Sequence, residues 1–149
     1  MIVAVAVDHA GVPLRETVLD AVRDAGHEPV YVGEHEDYPH VALRAGRCVV
    51  AGEAERSVLV CGSGAGVAVA ACKIPGVRAA TCHDHYTAAQ CVSHDDCNVL
   101  CLGARVIGSA VAAELTATFC RARFSGEERH VRRLDAVLQI EREGLEAEL

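Results

Sequence analysis

The stretch Ser57-Val58-Leu59-Val60-Cys61-Gly62-Ser63-Gly64-Ala65-Gly66 decides the fold. Its first half is a continuous apolar run, which reads as a strand buried on both faces of a parallel sheet. Its second half alternates glycine with small residues and leads into a short helical pattern reaching about Cys72. Strand, tight glycine turn and helix in immediate succession form one βα step. The same step recurs on either side. Ile2–Val7 is a second apolar strand, followed by Val12–Ala25, in which Leu14, Val18, Leu19 and Val22 share one helical face and Gly26 ends the run.

Further strands are expected at His27–Val32, Val77–Thr81 and Asn98–Leu102. Helices are expected from Pro39 to about Ala51, at Tyr86–Val92, Ser109–Arg123 and Glu127–Glu146. Repeated βα units of this length imply a single α/β domain over 1–149, three layers deep, Rossmann-like or flavodoxin-like. The expected sheet has five parallel strands in the order 2-1-3-4-5. Ligands of such sheets bind beyond the carboxyl ends of the strands, where the strand order reverses. That crevice lies between the first and third strands. It collects Asp8-His9 from one and Cys61-Gly62-Ser63-Gly64 from the other.

Composition narrows the chemistry. A net charge of −7 in 149 residues argues against a nucleic-acid partner, and no run is long and apolar enough for a membrane span. Asp8 and His9 interrupt the one N-terminal apolar run, which reads against a signal peptide. The eight Cys are spread through apolar segments, as small buried hydrophobes of a reducing cytosol would be.

The glycine turn presents backbone N–H groups, a cradle for a phosphate or a developing oxyanion. It is not a P-loop, because Lys73 comes too late and lacks a following Ser or Thr. It is not the dinucleotide fingerprint, whose last gap is one residue longer. It is not a Cys-x5-Arg phosphatase loop, since Val67 stands where Arg is required. Cys61, last in its strand and first in its turn, is the candidate reactive thiol, with a helix N-terminus beside it to favour the thiolate. Asp8 is either a site carboxylate or the cap of the following helix. The segment Cys82–Cys97 holds Cys82, His83, His85, Cys91, His94, Asp95 and Cys97, but no standard metal-ligand spacing, so no metal is expected. His94 is expected near the carboxyl-end side of the sheet as a catalytic His. Arg129, His130, Arg132 and Arg133 make a basic cluster on the last helix, a candidate phosphate clamp, with Val131, Leu134, Val137 and Leu138 on its buried side.

Asp8-His9-Ala10-Gly11, Asp37-Tyr38-Pro39-His40, Cys61 to Gly66, Ala70-Ala71-Cys72-Lys73, Gly76-Val77-Arg78-Ala79, His94 to Leu100, Gly103-Ala104-Arg105 and Arg129-His130 with Arg133 follow in a distinctive order and spacing. Together they resemble the family of ribose-5-phosphate isomerase B and the galactose-6-phosphate isomerase subunits, from Val3 to Glu141. The resemblance implies a cofactor-free aldose–ketose isomerisation through a cis-enediolate, in sugar-phosphate metabolism such as the pentose phosphate pathway. It makes Cys61 the base that moves a proton between C1 and C2. A second subtype of the family places a glutamate where this chain has Val67, so the resemblance is to the cysteine-base subtype. The resemblance gives the enediolate oxygen to the amides of Gly62, Gly64 and Gly66 with Ser63 assisting, ring opening to His94, and substrate hydroxyls to Asp8. Phosphate falls to His9, Arg105, Arg129 and Arg133, and Tyr38 and Asp95 line the substrate site. The resemblance further implies a homodimer or homotetramer with sites shared between subunits, the helix at about 127–146 packing on a partner.

Three departures stand out. Asp95 replaces a usual Asn, Cys72 replaces another, and the loop before Asp37 is short. These leave three readings: an isomerase of ribose 5-phosphate, one of allose or galactose 6-phosphate, and a non-catalytic subunit of a heteromeric isomerase. A thiol hydrolase with a covalent intermediate on Cys61 is a more distant reading.

Overall fold

The computed structural model describes residues 1–148. Five strands, β1 (Ile2–Asp8), β2 (Glu28–His35), β3 (Arg56–Cys61), β4 (Ala79–Thr81) and β5 (Val99–Gly103), form one parallel sheet. Between and after them run α1 (Arg15–Asp24), α2 (Tyr38–Val50), α3 (Ala65–Ala71), α4 (His85–Asp95), α5 (Ser109–Arg121) and α6 (Glu128–Glu143). Single 3-10 turns precede α1 and follow α6.

The sheet order is β2-β1-β3-β5-β4, so the expected order of the last two strands is corrected. Residue content explains the exchange. All five residues of β5 are buried, as an interior strand requires, whereas β4 is three residues long and partly exposed. Short, exposed strands belong at edges, where their free backbone groups meet water. The switch between β1 and β3 is unaffected, because β1 still pairs with both β2 and β3.

Two apolar layers hold the sheet. On one face Val3, Val5, Val7, Val58, Val60, Leu100 and Leu102 pack against Val18 and Val22 of α1, Ala88 and Val92 of α4, and Leu115 and Phe119 of α5. On the other, Ala6, Leu59, Cys61, Val99 and Cys101 meet Val41, Ala42 and Ala45 of α2 and Val67 and Ala71 of α3. Alternation along each strand assigns its side chains to the two layers. Small residues at the second interface bring α2 and α3 close to the sheet.

α6 stands apart. Among its residues His130 alone is buried, and Val131 and Val137 are exposed, contrary to the expectation of a buried side. Leu134 and Leu138 are half-buried and line a cavity of about 450 Å3 between α6, Val77 and Ala79. Among the described residues no helix is long and apolar enough to cross a membrane. All eight Cys are free thiols. Burial pushes Cys120 up to about 11 and raises Cys101 strongly, so these thiols stay protonated as core side chains.

Candidate active site

The carboxyl ends of β1 and β3 open into a cavity of about 370 Å3 lined by Asp8, His9, Tyr38, Cys61, Gly62, Ser63, Gly66 and Arg105. Each group arrives there for a local reason. β3 stops at Cys61 because Gly64 takes a left-handed φ of 81° that ends the ladder. The turn folds back so that the Gly64 N–H donates to Cys61 Sγ at 3.1 Å. Thr81 Oγ1 in turn donates to Gly64 O at 3.0 Å. The sulfur is therefore fixed from the turn side, 4% exposed, with one amide dipole pointing at it.

Asp8 closes β1, and its Oδ1 accepts the N–H of Ala10 at 2.9 Å and of Gly11 at 3.0 Å. One oxygen thus closes the turn after β1, while the cap positions of the 3-10 turn and of α1 are Gly11 and Leu14 with no side-chain cap bond, so Asp8 is not a helix cap and its carboxylate lines the cavity. His9 Nδ1–H donates to Glu36 O at 2.7 Å, leaving Nε2 as its free nitrogen. The Tyr38 ring lies 3.3 Å from where a Cβ on Gly66 would stand, so glycine there leaves room for the aromatic wall. The Arg105 side chain passes 3.6 Å from the equivalent point on Gly62.

His94, Asp95, Arg129 and Arg133 are elsewhere. α4 runs back against the strands, so its last turn, which holds His94, lies toward their amino ends. Three residues past the end of α4, the Asn98 carbonyl accepts the Ser57 N–H at the start of β3. The four steps from Ser57 to Cys61 span about 13 Å of strand. His94 therefore does not face Cys61 within one chain, and its expected place at the carboxyl ends is corrected. The reason is directional: a helix after a parallel strand returns to the opposite end of the sheet.

At that other end a second cluster is assembled. The Gln90 amide donates to His94 Nδ1 at 3.0 Å, which leaves the neutral ring's proton on Nε2. The His94 ring stacks on His130 with centroids 4.0 Å apart. Arg129 Nε–H donates to His130 Nε2 at 3.2 Å, and His130 Nδ1–H donates to Ser125 Oγ at 2.6 Å. Asp95 and Arg133 line the cavity beside α6. Exposed Arg129 also pairs with Glu127 at 2.8 Å. A half-site with a proton donor and two guanidinium groups thus sits apart from a half-site with a thiol, a carboxylate and an amide cradle.

Burial, His94 and Arg129 all lower the pKa of His130, and burial lowers that of His83. A neutral imidazole is favoured by folding, whereas an unfolded His titrates near about 6.5. The contribution is complete above that value and is lost as pH falls through the lower folded pKa. The melting temperature should accordingly drop on acidification from about pH 7.5 to about pH 5.5. His130→Asn, which keeps a donor toward Ser125, should flatten that drop and leave the part due to His83; Glu127 and Arg133 remain as its charged neighbours.

Several contributing residues had no place among the expected ones. His83 Nε2 accepts the Gly103 N–H at 3.0 Å and braces the turn from β5. Gln90 was detectable in principle, since it lies one helical turn before His94. Thr81 and Ser125 act through tertiary contacts that spacing does not report. Gly103 is close-packed: a Cβ there would stand 2.6 Å from Ser63 C and 2.7 Å from Ser63 O. Gly103→Ala should cost about 2–4 kcal/mol by displacing that backbone, read as a lowered denaturation midpoint, and should impair turnover because Ser63 and Gly64 carry the cradle.

The family model for "Ribose/Galactose Isomerase" matches residues 3–137. This chain belongs to that family. It is an isomerase of the aldose–ketose kind. Among related solved structures, type B ribose 5-phosphate isomerase of Trypanosoma brucei is 48% identical, with a TM-score of 0.89 over 92% of this chain and 96% of that one. Ribose-5-phosphate isomerase B of Mycoplasma genitalium with bound ribulose-5-phosphate is 32% identical, with a TM-score of 0.88 over 95% and 97%. D-erythrulose-4-phosphate isomerase 2 of Mycolicibacterium smegmatis is 44% identical over 115 residues, 72% of this chain and 76% of that protein. The family's members thus include isomerases named for different sugar phosphates on one fold.

Proposed function

We propose that the chain interconverts ribose 5-phosphate and ribulose 5-phosphate without a cofactor, in the cytosol, as a homodimer or homotetramer. The observation that carries this reading is the Cys61 thiol held by the Gly64 amide inside a cavity that also offers Asp8, His9 and Arg105. Cys61 as thiolate takes the C2 proton of the open-chain aldose, and the electron pair moves into the carbonyl to give a cis-enediolate. The same thiol returns the proton to C1 while a hydroxyl proton passes from O2 to O1. Amides of Gly62 and Gly66 with Ser63 receive the charge that exists only near the transition state, the Gly64 amide being committed to the Cys61 sulfur. Each such donor is worth about 3 kcal/mol. Asp8 and Tyr38 hold the sugar, and His9 and Arg105 take the phosphate.

Ring opening needs an imidazole-like proton donor, and the His9 of Cys61's half-site has its Nδ1–H committed to Glu36 O, which leaves Nε2 as an acceptor in the neutral ring. His94 Nε2–H fits that role, with Asp95, Arg129 and Arg133 beside it, once a second copy of the chain brings its α4–α6 end to the first copy's cavity. Exposed Val131 and Val137 on α6 support a subunit contact there. The heteromeric reading, in which a different chain supplies this cluster, is less economical because one chain already carries both halves.

The test is turnover by the purified chain on ribose 5-phosphate, with D-erythrulose 4-phosphate, allose 6-phosphate and galactose 6-phosphate alongside. The expected result is a kcat/KM highest for ribose 5-phosphate. A higher value for another sugar reassigns the substrate and points to Asp95, whose carboxylate would select a different hydroxyl pattern. Inactivity on all four overturns the homomeric enzyme.

A further inference from the structure

The segment that joins β2 to α2 has features the isomerisation does not use. His35 ends β2, Asp37 immediately precedes α2, and His40 lies in its first turn. One ligand atom from each of the three lies within 4.8 Å of the others. The His35 and His40 rings are held 3.9 Å apart and tilted by 31°. Asp37 makes no side-chain cap bond to α2, so its carboxylate is free to turn to the imidazoles. Its own N–H donates to His35 Nδ1 at 2.9 Å, which aims that lone pair at the Asp37 side of the cluster. Glu36 and Asp37 add two adjacent carboxylates beside the imidazoles, whereas the Glu34 carboxylate is paired with Arg15 at 3.2 Å.

We propose that His35, Asp37 and His40 bind one divalent transition-metal ion of the zinc class at the rim of the Cys61 cavity. Two imidazoles and one carboxylate are the donors such ions prefer over magnesium or calcium, which seek all-oxygen shells. Zinc–nitrogen and zinc–oxygen bonds of about 2.0–2.2 Å require the three ligand atoms to draw together by roughly an ångström. Asp37 and His40 are exposed and can make that movement by side-chain rotation. An ion on His35 Nδ1 replaces the Asp37 amide hydrogen, so one hydrogen bond is exchanged for a coordination bond. A fourth position stays open to water.

The site is coupled to the cavity by its own chain. Tyr38, between two of the ligands, lays its ring on Gly66, and Glu36 O holds His9 Nδ1. An ion would lock this six-residue segment and with it two walls of the cavity, whichever sugar phosphate the chain takes.

The experiment titrates the reduced full-length chain with Co2+ and then displaces it with Zn2+, following visible absorption and metal content. One Co2+ per chain is expected, with a ligand-field spectrum of nitrogen and oxygen donors and no thiolate charge-transfer band. His40→Gln should weaken binding by at least about 100-fold, the upper end of what a mere supporting residue would cost. The same variant should keep metal-free turnover and its melting temperature, which shows that the fold survives. Cys72→Ser, at the exposed thiol, should leave binding unchanged. Absence of binding, binding that survives His40→Gln, or a thiolate band lost in Cys72→Ser would each overturn the proposal.

Discussion

Cys61→Ala should lower kcat on the preferred sugar phosphate by about 10^2- to 10^4-fold, the range that a positioned general base supplies. The size follows from the surroundings of the sulfur. No other group in the cavity sits where the turn would hold it against C1 and C2: Asp8 spends one oxygen on the Ala10 and Gly11 amides, and His9 is tethered to Glu36. The loss should appear in kcat more than in KM, because Arg105, His9 and Asp8 still bind the ground state. Stability should change little, on the order of 1 kcal/mol, since one sulfur is removed from a core otherwise filled by Ala6, Leu59 and Val67. Melting temperature and turnover measured on one preparation separate the two effects. Turnover within tenfold of wild type in a folded Cys61→Ala protein would remove the thiol from the chemistry. Cys61→Ser should be nearly as inactive, because an alcohol is not ionised at neutral pH and Oγ is held farther from the substrate carbon.

What could be read from the sequence, and what could not, divides along physical lines. Apolar runs such as Ile2–Val7 and Ser57–Cys61 announce strands buried on both faces, and a glycine turn fixes where such a strand ends. The sequence therefore brings Asp8 and Cys61 to one crevice. The order of β4 and β5 was not legible, because a run of residues states how apolar a strand is and not which neighbour it pairs with. The greater burial of β5 decides that in three dimensions. The place of His94 differs from expectation for a related reason. Nearness in sequence to a strand's beginning says that a residue is at the amino end, and the carboxyl-end expectation overlooked the return direction of α4. The apolar side of α6 shows the same limit, since periodicity reveals a face without revealing what covers it. The His35–Asp37–His40 cluster is not legible in sequence because its spacing matches no common metal motif, and only the bend from β2 into α2 brings the three together.

Equal amounts of Cys61→Ala and His94→Ala, each inactive alone, should regain about one quarter of wild-type turnover after subunit exchange. The figure follows from symmetry. If each site takes Cys61 from one chain and His94 from its neighbour, half of randomly re-paired dimers are mixed. In a mixed dimer one site receives both intact residues and the other receives neither. Half of the dimers with one of two sites intact gives one quarter. The structure motivates the experiment, because Cys61 and His94 lie at opposite ends of the sheet and a proton transfer requires heavy atoms about 2.6–3.2 Å apart. No side-chain rotation spans the roughly 13 Å of β3 between those ends. Native mass spectrometry of isotopically distinct chains verifies that exchange has occurred, and co-expression replaces mixing where it is slow. Mixed dimers that remain inactive would mean that His94 does not serve a neighbour's Cys61, and would turn attention to His9 or a substrate hydroxyl for ring opening. Recovery near one quarter would instead make the pairing of two chains a condition of catalysis, and a substitution on the exposed α6 face, such as Val137→Glu, would then abolish turnover while leaving both half-sites chemically intact.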